Sequence, residues 1–106
     1  MTWAAGVCAG FAAAGITHVV YVPGNPLSHV LGALKTYPGI RTTLATREEE
    51  AFGIAVGLYL GGVQPAVMLQ SSGLGNSLNA ITSLIVPYQV PMLILIARSA
   101  RPGAEA

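Results

Sequence analysis

The sequence predicts an α/β fold, a doubly wound and mostly parallel sheet with helices on both faces. Helix-like and strand-like segments alternate, the strand-like segments are apolar at nearly every position, and glycine- or proline-containing turns separate them. Strands buried on both faces have continuous apolar runs, and such strands alternating with helices form parallel sheets. We expect one domain over the 106 residues, with residues 98–106 as a short polar tail.

The first half of the chain predicts helices that alternate with strands, over Trp3–Ala14, His18–Val22, Leu27–Tyr37 and Ile40–Leu44. The first helix is rich in alanine, and Gly15 directly after it is a natural C-cap. The first strand is β-branched and aromatic and stops at Pro23-Gly24, a pair that is typical of a turn. The second helix has its apolar residues at helical spacing.

The second half predicts helices over Glu48–Leu60 and Ser77–Val86, strands over Ala66–Leu69 and Met92–Ala97, and a glycine-rich turn over Ser71–Asn76. Three glutamates begin the first of these helices, where the helix dipole favours negative charge, and Thr46 is its predicted N-cap. Ligands of parallel sheets bind beyond the carboxyl ends of the strands. We therefore expect the functional residues in the loops after the first three strands.

The composition excludes several classes of protein. The chain is 53% hydrophobic and 8% charged, with a mean hydropathy of +0.62, which excludes intrinsic disorder. A net charge of +1 without a basic cluster argues against a nucleic-acid partner. Cys8 is the single cysteine, so no disulfide forms within one chain.

Because Phe52–Leu60 is apolar on every side of its helix, we predict at least a dimer.

Two uncharged runs, at residues 51–69 and 81–97, approach the length of a membrane span. Proline interrupts both runs, at Pro65 in the first and at Pro87 and Pro91 in the second. The N-terminus also lacks the basic residues of a secretory signal. We therefore predict a chain that does not enter the membrane and that works in the cytoplasm.

Glu48, Glu49 and Glu50 are adjacent at the start of a predicted helix. One interpretation is that all three are solvated and compensate the helix dipole. Three consecutive residues span roughly 200° of a helix, however, so they face different environments. One carboxyl group is therefore expected at the sheet edge. Burial raises the pKa of a carboxyl group, which lets it share a proton with a ligand nitrogen.

The segment Gly73-Leu74-Gly75-Asn76 connects a predicted strand to a predicted helix. A tight turn with positive φ accounts for its glycines, and a backbone cradle for a polar ligand is the alternative. No lysine follows, and the third glycine of a dinucleotide fingerprint is absent, so neither phosphate-binding motif is present. The polar residues Gln70, Ser71 and Ser72 directly before it favour a small polar ligand.

Three segments together carry a resemblance to a known family: Thr46-Arg47-Glu48-Glu49-Glu50-Ala51, Gly57 nine residues after Glu48, and Met68–Asn76. They are similar to the pyrimidine-binding domain of thiamine-diphosphate-dependent decarboxylases, and most of all to the sulfopyruvate decarboxylase α subunit and phosphonopyruvate decarboxylase. The Pro23-Gly24 turn also fits, and the resemblance covers Trp3–Ala97. It implies the thiamine-diphosphate-binding fold, shortened here at the C-terminus.

The resemblance assigns roles to individual residues. Glu48 matches the glutamate that hydrogen-bonds N1′ of the cofactor's aminopyrimidine and activates the cofactor. The matches to cofactor-binding positions are Pro23, Gly24, Ser72, Gly73 and Asn76. Gln70, His29 and Arg47 are candidates for substrate contacts, although a surface role also accounts for His29 and for Arg47.

Part of the family's site is absent from this sequence. In the enzymes that it resembles, a second domain holds the diphosphate and Mg²⁺ through a Gly-Asp-Gly…Asn motif, whereas this sequence contains no aspartate. The resemblance therefore implies a diphosphate-binding partner subunit in a homo- or hetero-oligomer, and no metal site on this chain. Family members also continue with helix and strand beyond the position of Ala97, so we expect a fragment, a gene remnant or an engineered minimal version.

Two functions remain open from the sequence. In the first, the chain is half of a lyase that decarboxylates a small anionic 2-oxo acid, sulfopyruvate or phosphonopyruvate. In the second, it is a catalytically inactive, truncated module that only self-associates or binds a partner subunit. The retained Glu48 and the glycine loop favour the enzyme, while the missing metal motif and the short C-terminus favour the module.

Overall fold

The computed structural model describes residues 3–24, 27–70, 80–87 and 89–97. Its helices are α1 (Trp3–Ala13), α2 (Ser28–Thr36), α3 (Glu48–Leu60) and a π-helical segment (Ile81–Ile85), and its strands are β1 (His18–Tyr21), β2 (Arg41–Leu44), β3 (Pro65–Gln70) and β4 (Leu93–Ala97). Helix α3 has the predicted bounds. The helix predicted over Ser77–Val86 differs, because its residues Ile81–Ile85 are π-helical. The predicted turn over Ser71–Asn76 lies outside the described residues.

Within the described residues, the sheet has four strands in the order β2-β1-β3-β4, and all of its pairings are parallel. His18 at the start of β1 is opposite Arg41 of β2 on one side and Pro65 of β3 on the other. The chain thus passes from β1 to β2 on one side and returns to β3 on the other. Such a reversal opens a crevice at the carboxyl ends of the two central strands. The predicted doubly wound α/β architecture is confirmed.

Helices cover both faces of the sheet. On one face, α1 and α2 pack over Val19, Tyr21 and Met68, which are buried. On the other face, α3 and the π-helical segment pack over the buried side chains of Val20 and Val67. The residues alternate because successive side chains of a strand point to opposite faces. Burial on both faces explains why the central strands are apolar without interruption.

Helix α3 packs on one face of the sheet through Ala51, Phe52 and Ala55, which are all buried, and the Phe52 side chain is the largest of them. Full burial of a phenylalanine side chain stabilises the fold by about 1.5–3 kcal/mol. The other side of α3 is open, since Leu60 is 74% exposed although the helix is apolar throughout. Over the described part of the chain, every helix is too short or too polar to cross a bilayer.

Helices α1 and α3 end in the same kind of turn, at the amino end of the strands. After α1, the N–H of Gly15 donates to the carbonyl of Ala12 at 3.0 Å, and the N–H of Ile16 donates to that of Phe11 at 2.9 Å. Gly62 takes the equivalent place after α3. Gly15 and Gly62 have φ angles of 81° and 92°, a left-handed conformation that glycine adopts without steric cost. The predicted C-cap at Gly15 is confirmed.

Candidate active site

The crevice between β1 and β3 is bordered by the Pro23-Gly24 turn and by Gln70. The strand pairing extends past β1, where the N–H of Val22 donates to the carbonyl of Met68 at 3.1 Å. Gly24 and Gln70 are half-buried and lie against each other. A Cβ atom on Gly24 would be 2.5 Å from Nε2 of Gln70 and 2.6 Å from its Cδ. Only glycine therefore fits at this position while Gln70 keeps its place.

The turn after β2 is attached to the end of β1. The N–H of Ala45 donates to the carbonyl of Tyr21 at 2.8 Å, which continues the pairing of the two strands by one residue. Thr46 and Arg47 follow, and α3 begins at Glu48. Strands β2, β1 and β3 are neighbours and parallel, so their carboxyl ends lie at the same end of the sheet. The turns after β1 and β2 therefore lie beside the end of β3.

The glutamates at the start of α3 have different environments. Glu48 is half-buried, whereas Glu49 and Glu50 are exposed. Among the described residues, no hydrogen bond joins the Glu48 carboxyl to another side chain or to the backbone, while the Glu50 carboxyl accepts two. The dipole interpretation treats the three alike, and it does not account for the burial of one of them.

Arg47, and not Thr46 as predicted, is the N-cap of α3. Its backbone is extended, with φ −141° and ψ 157°, and its side chain makes no capping hydrogen bond. The N–H of Ala51 donates to the carbonyl of Arg47 at 3.0 Å, which starts the helical pattern. The prediction was wrong because the Thr46 hydroxyl donates to Oε1 of Glu50, at 3.1 Å, and does not accept from the helix backbone.

Glu50 binds Thr46 through a single carboxylate oxygen. Oε1 of Glu50 accepts the Thr46 N–H at 2.7 Å and the Thr46 hydroxyl at 3.1 Å. The pKa of the Glu50 carboxyl is lowered, first by the hydrogen bond from the Thr46 N–H and then by that from the Thr46 hydroxyl. Desolvation opposes this shift, and the positive charge of Arg47 adds to it. The pair was not predicted from the sequence, where its one signal is the four-residue spacing of Thr46 and Glu50, which is one residue longer than in a capping box.

The remaining predicted site residues lie in several places. Arg47 is exposed at the start of α3, and Pro23 is exposed beside Gly24. His29 is exposed and lines a different cavity, a cleft of about 320 Å³ between α1 and α2 that it shares with Trp3 and Ala33. The predicted cofactor-binding residues Ser72, Gly73 and Asn76 lie outside the described residues.

A second cleft, of about 540 Å³, lies at the amino end of the strands, and its lining includes Thr17, His18, Arg41 and Leu58. Nε2 of His18 lies 2.6 Å from Oγ1 of Thr43 on the neighbouring strand. Burial, and then the positive charge of Arg41, lower the pKa of the His18 imidazole. These groups are at the opposite end of the sheet from Glu48.

Residues 1–105 match the family of the thiamine pyrophosphate enzyme, N-terminal TPP binding domain. The chain belongs to this family. It is 46% identical over 83 residues to the sulfopyruvate decarboxylase subunit alpha of Methanococcus maripaludis, a match that covers 78% of this chain and 50% of that protein. The subunit of the same name from Methanothermobacter thermautotrophicus is 39% identical over 97 residues, or 92% of this chain and 59% of that protein.

This thiamine pyrophosphate-binding domain is also 36% identical to the phosphonopyruvate decarboxylase of Streptomyces viridochromogenes, over 99% of the domain and 26% of that enzyme. The matches confirm the resemblance that the acidic helix start and the glycine loop indicated, and the family description names the expected cofactor. The domain spans about half the length of the alpha subunits that it matches.

Proposed function

We propose that this domain is the pyrimidine-binding half of a thiamine-diphosphate-dependent decarboxylase that acts on sulfopyruvate or phosphonopyruvate, with Glu48 activating the cofactor. The observation that carries the proposal is the environment of Glu48. It is the half-buried member of three adjacent glutamates, and it begins α3 at the carboxyl end of the sheet. The names of the relatives support the reaction class.

The described residues fit the aminopyrimidine ring of this cofactor. A ring nitrogen needs a carboxyl group as its hydrogen-bond partner, and within the described residues the Glu48 carboxyl has no competing partner. A flat heterocycle also needs a wall without a projecting side chain. Gly24 has no side chain that could project toward the ring, and Gln70 lies against the place that a Cβ would take. Ser72, Gly73 and Asn76 match family positions that complete the pocket.

The task of this chain in the reaction is to hold and move one proton. When bound, thiamine diphosphate would supply a C–H acid that, after loss of its proton, could add to the 2-oxo group and take up the electron pair released as carbon dioxide leaves. The Glu48 carboxyl donates a hydrogen bond to the ring nitrogen when protonated and accepts one when ionised. Its partial burial strengthens that hydrogen bond relative to one in bulk water.

The diphosphate and Mg²⁺ are assigned to a partner subunit. The sequence contains no aspartate, and the described residues include no group of three or more His, Cys, Asp or Glu side chains that would hold a metal ion. Mg²⁺ prefers carboxylate and phosphate oxygens, which a second chain and the cofactor would supply. The alpha-subunit names of the relatives support a two-subunit arrangement.

The proposed substrates carry a carboxylate and a sulfonate or phosphonate group. Arg47 directly precedes Glu48, and its guanidinium group is suited to binding such an anion through two parallel hydrogen bonds. Gln70 borders the crevice and offers an amide donor. His29 lines a separate cleft, so we rank Arg47 and Gln70 ahead of it as substrate contacts.

An inactive module that self-associates is the second candidate, and the open side of α3 favours it. Gly53 and Gly57 have free space above them, and Leu60 is 74% exposed. Such an apolar surface is suited to packing against another chain. An enzyme subunit would use the same surface for assembly, so turnover distinguishes the two candidates.

The test combines the purified chain with its cognate diphosphate-binding subunit, thiamine diphosphate and Mg²⁺, and measures carbon dioxide released from sulfopyruvate and from phosphonopyruvate. We expect turnover of at least one substrate. Glu48→Gln, which removes the titrating carboxyl, should lower kcat by about 10²- to 10⁴-fold. The matched variant Glu49→Gln removes an exposed neighbour and should change kcat less than about threefold, since its group does not act on the reacting atoms.

Two outcomes contradict the proposal. Full activity of Glu48→Gln would show that the assigned carboxyl does not activate the cofactor. Absence of turnover in an assembled, cofactor-loaded complex, together with self-association of the chain by sedimentation, would favour the inactive module.

A further inference from the structure

We propose that Glu50 is a positioning residue, which holds the turn from Thr46 to Glu48 so that the Glu48 carboxyl is fixed at the carboxyl end of the sheet. This inference rests on the proposed function of Glu48. It assigns Glu50 no contact with cofactor or substrate.

The hydrogen bonds of Glu50 close a small ring around the start of α3. Oε1 of Glu50 accepts from the Thr46 N–H at 2.7 Å and from the Thr46 hydroxyl at 3.1 Å. Arg47, Glu48 and Glu49 are the residues between Thr46 and Glu50, so the backbone of Glu48 is part of the ring. Two bonds to one acceptor restrain both the backbone and the side chain of Thr46.

The ring is connected to the sheet on one side and to α3 on the other. Ala45, directly before Thr46, donates its N–H to the carbonyl of Tyr21 at 2.8 Å, which ties the turn to β1. Glu50 belongs to the first turn of α3, which packs on β1 and β3. The position of Glu48 is therefore set by the distance between β1 and the first turn of α3, and Glu50 fixes that distance.

In the described part of the chain, the side chain of the N-cap residue Arg47 makes no capping hydrogen bond to α3. The side-chain hydrogen bonds described at the start of this helix are the two that the Glu50 carboxylate accepts from Thr46. Both partners are exposed, and exposed hydrogen bonds add little to the stability of a fold. The main effect of the pair is on geometry. The hydrogen bonds from Thr46, and then the charge of Arg47, lower the pKa of Glu50, so the carboxylate remains an ionised acceptor to a lower pH than an ordinary glutamate.

The first test follows the Thr46 amide proton by NMR in the full chain without cofactor or partner. Between pH 7 and pH 3 its chemical shift should titrate with a midpoint below the ordinary glutamate value of about 4.3. Glu50→Gln should abolish that titration and leave the amide hydrogen-bonded, and Glu50→Ala should move the amide to an exposed-amide shift. The matched variant Glu49→Ala should leave it unchanged. If the chemical shift of the Thr46 amide proton does not change in Glu50→Ala, the proposal is wrong.

The second test measures steady-state kinetics of the complete complex with the same variants. Glu50→Ala should lower kcat by about 10- to 100-fold with KM unchanged, because a displaced catalytic group loses its alignment in the reacting state. Glu50→Gln should recover most of the loss, since its amide oxygen still accepts from the Thr46 N–H. Thr46→Ser retains both donors and should match the unchanged chain.

The two proposals fail in different ways. If Glu48→Gln is fully active, the assignment of Glu48 fails whatever the NMR shows. If Glu48→Gln is inactive and Glu50→Ala has the kcat of the unchanged chain, the positioning role alone is wrong. If Glu50→Gln is as impaired as Glu50→Ala, the charge and not the hydrogen bonds matters, which also overturns the positioning role.

Discussion

The two ends of the sheet meet different demands. At the carboxyl end, the last residue of β3, Gln70, and the first residue of α3, Glu48, belong to the proposed site. At the amino end, the chain reverses after helices in left-handed turns, at Gly15 and Gly62. The proposed site and the left-handed glycine turns therefore lie at opposite ends of the sheet.

Helix direction explains part of this separation. The described carboxylates all lie in the first turn of α3, and Lys35 lies in the last turn of α2, as the helix dipole favours. Arg41 and His18 also lie at the amino end. The dipole does not require that one carboxyl be half-buried, so the environment of Glu48 is the feature that sets the carboxyl end apart.

Among variants outside α3 that compare the two ends of the sheet, the largest effect is expected from Gly24→Ala, which should impair the carboxyl end while the rest of the fold stays intact. The new Cβ would overlap the Gln70 side chain, which must then change its position. We expect at least tenfold weaker binding of thiamine diphosphate to the complex, by calorimetry, and a stability loss of no more than about 1 kcal/mol in urea denaturation, because the flexible Gln70 side chain can adopt another rotamer.

A double variant and a control test the cause. Gly24→Ala combined with Gln70→Ala removes the overlapping atoms and should recover stability relative to Gly24→Ala alone. Gly10→Ala, on a helix position with open space around it, should stabilise the chain by roughly 0.5–1 kcal/mol. A Gly24→Ala variant that binds cofactor normally would show that the contact with Gln70 does not shape the crevice.

The amino end contains a smaller strain that can be relieved. Gln89 has a φ of 54°, and its N–H donates to the carbonyl of Val86 at 3.1 Å, in the same kind of turn that Gly15 and Gly62 form. A side chain in this conformation costs about 1 kcal/mol or more. Gln89→Gly should therefore raise the free energy of unfolding by up to about 1 kcal/mol and leave kcat unchanged. A loss of stability would mean that the Gln89 side chain contributes more than its backbone costs.

The smallest effect concerns His18 and pH. Because burial and Arg41 lower the His18 pKa, the unfolded chain binds more protons than the folded chain just below pH 6.5. This contribution to stability is present above that pH and is lost as the pH falls through it. Between pH 7.5 and 5.5, the Tm of the unchanged chain should therefore fall more than that of His18→Gln. Equal decreases in the Tm of the two chains would contradict the assigned effect of His18.

Much of the fold followed from the sequence, because apolar strands between helices leave few alternatives to a parallel sheet. Helix α3 was predicted with its observed bounds, since an acidic start and a double glycine mark its ends. The Thr46–Glu50 pair was missed because the carboxylate reaches back over a turn whose conformation no propensity describes. The cleft beside His18 could not be predicted because it depends on the order of the strands. That order brings Thr43 of β2 next to His18 of β1, although the two residues are 25 positions apart in the sequence.

Strand β1 has only four residues, yet it is the common reference for every part of the proposed site. The Pro23-Gly24 turn continues it, Ala45 is tied to its last residue, and Gln70 ends the strand on its other side. A slip of β1 by one position would move the glycine turn by about 3.3 Å past both neighbours and would turn Tyr21 from the face covered by α1 and α2 to the opposite face. An error in the register of β1 would therefore place the wrong side chains in the core and destabilise the whole fold. A folded chain with a distorted site should consequently be rare.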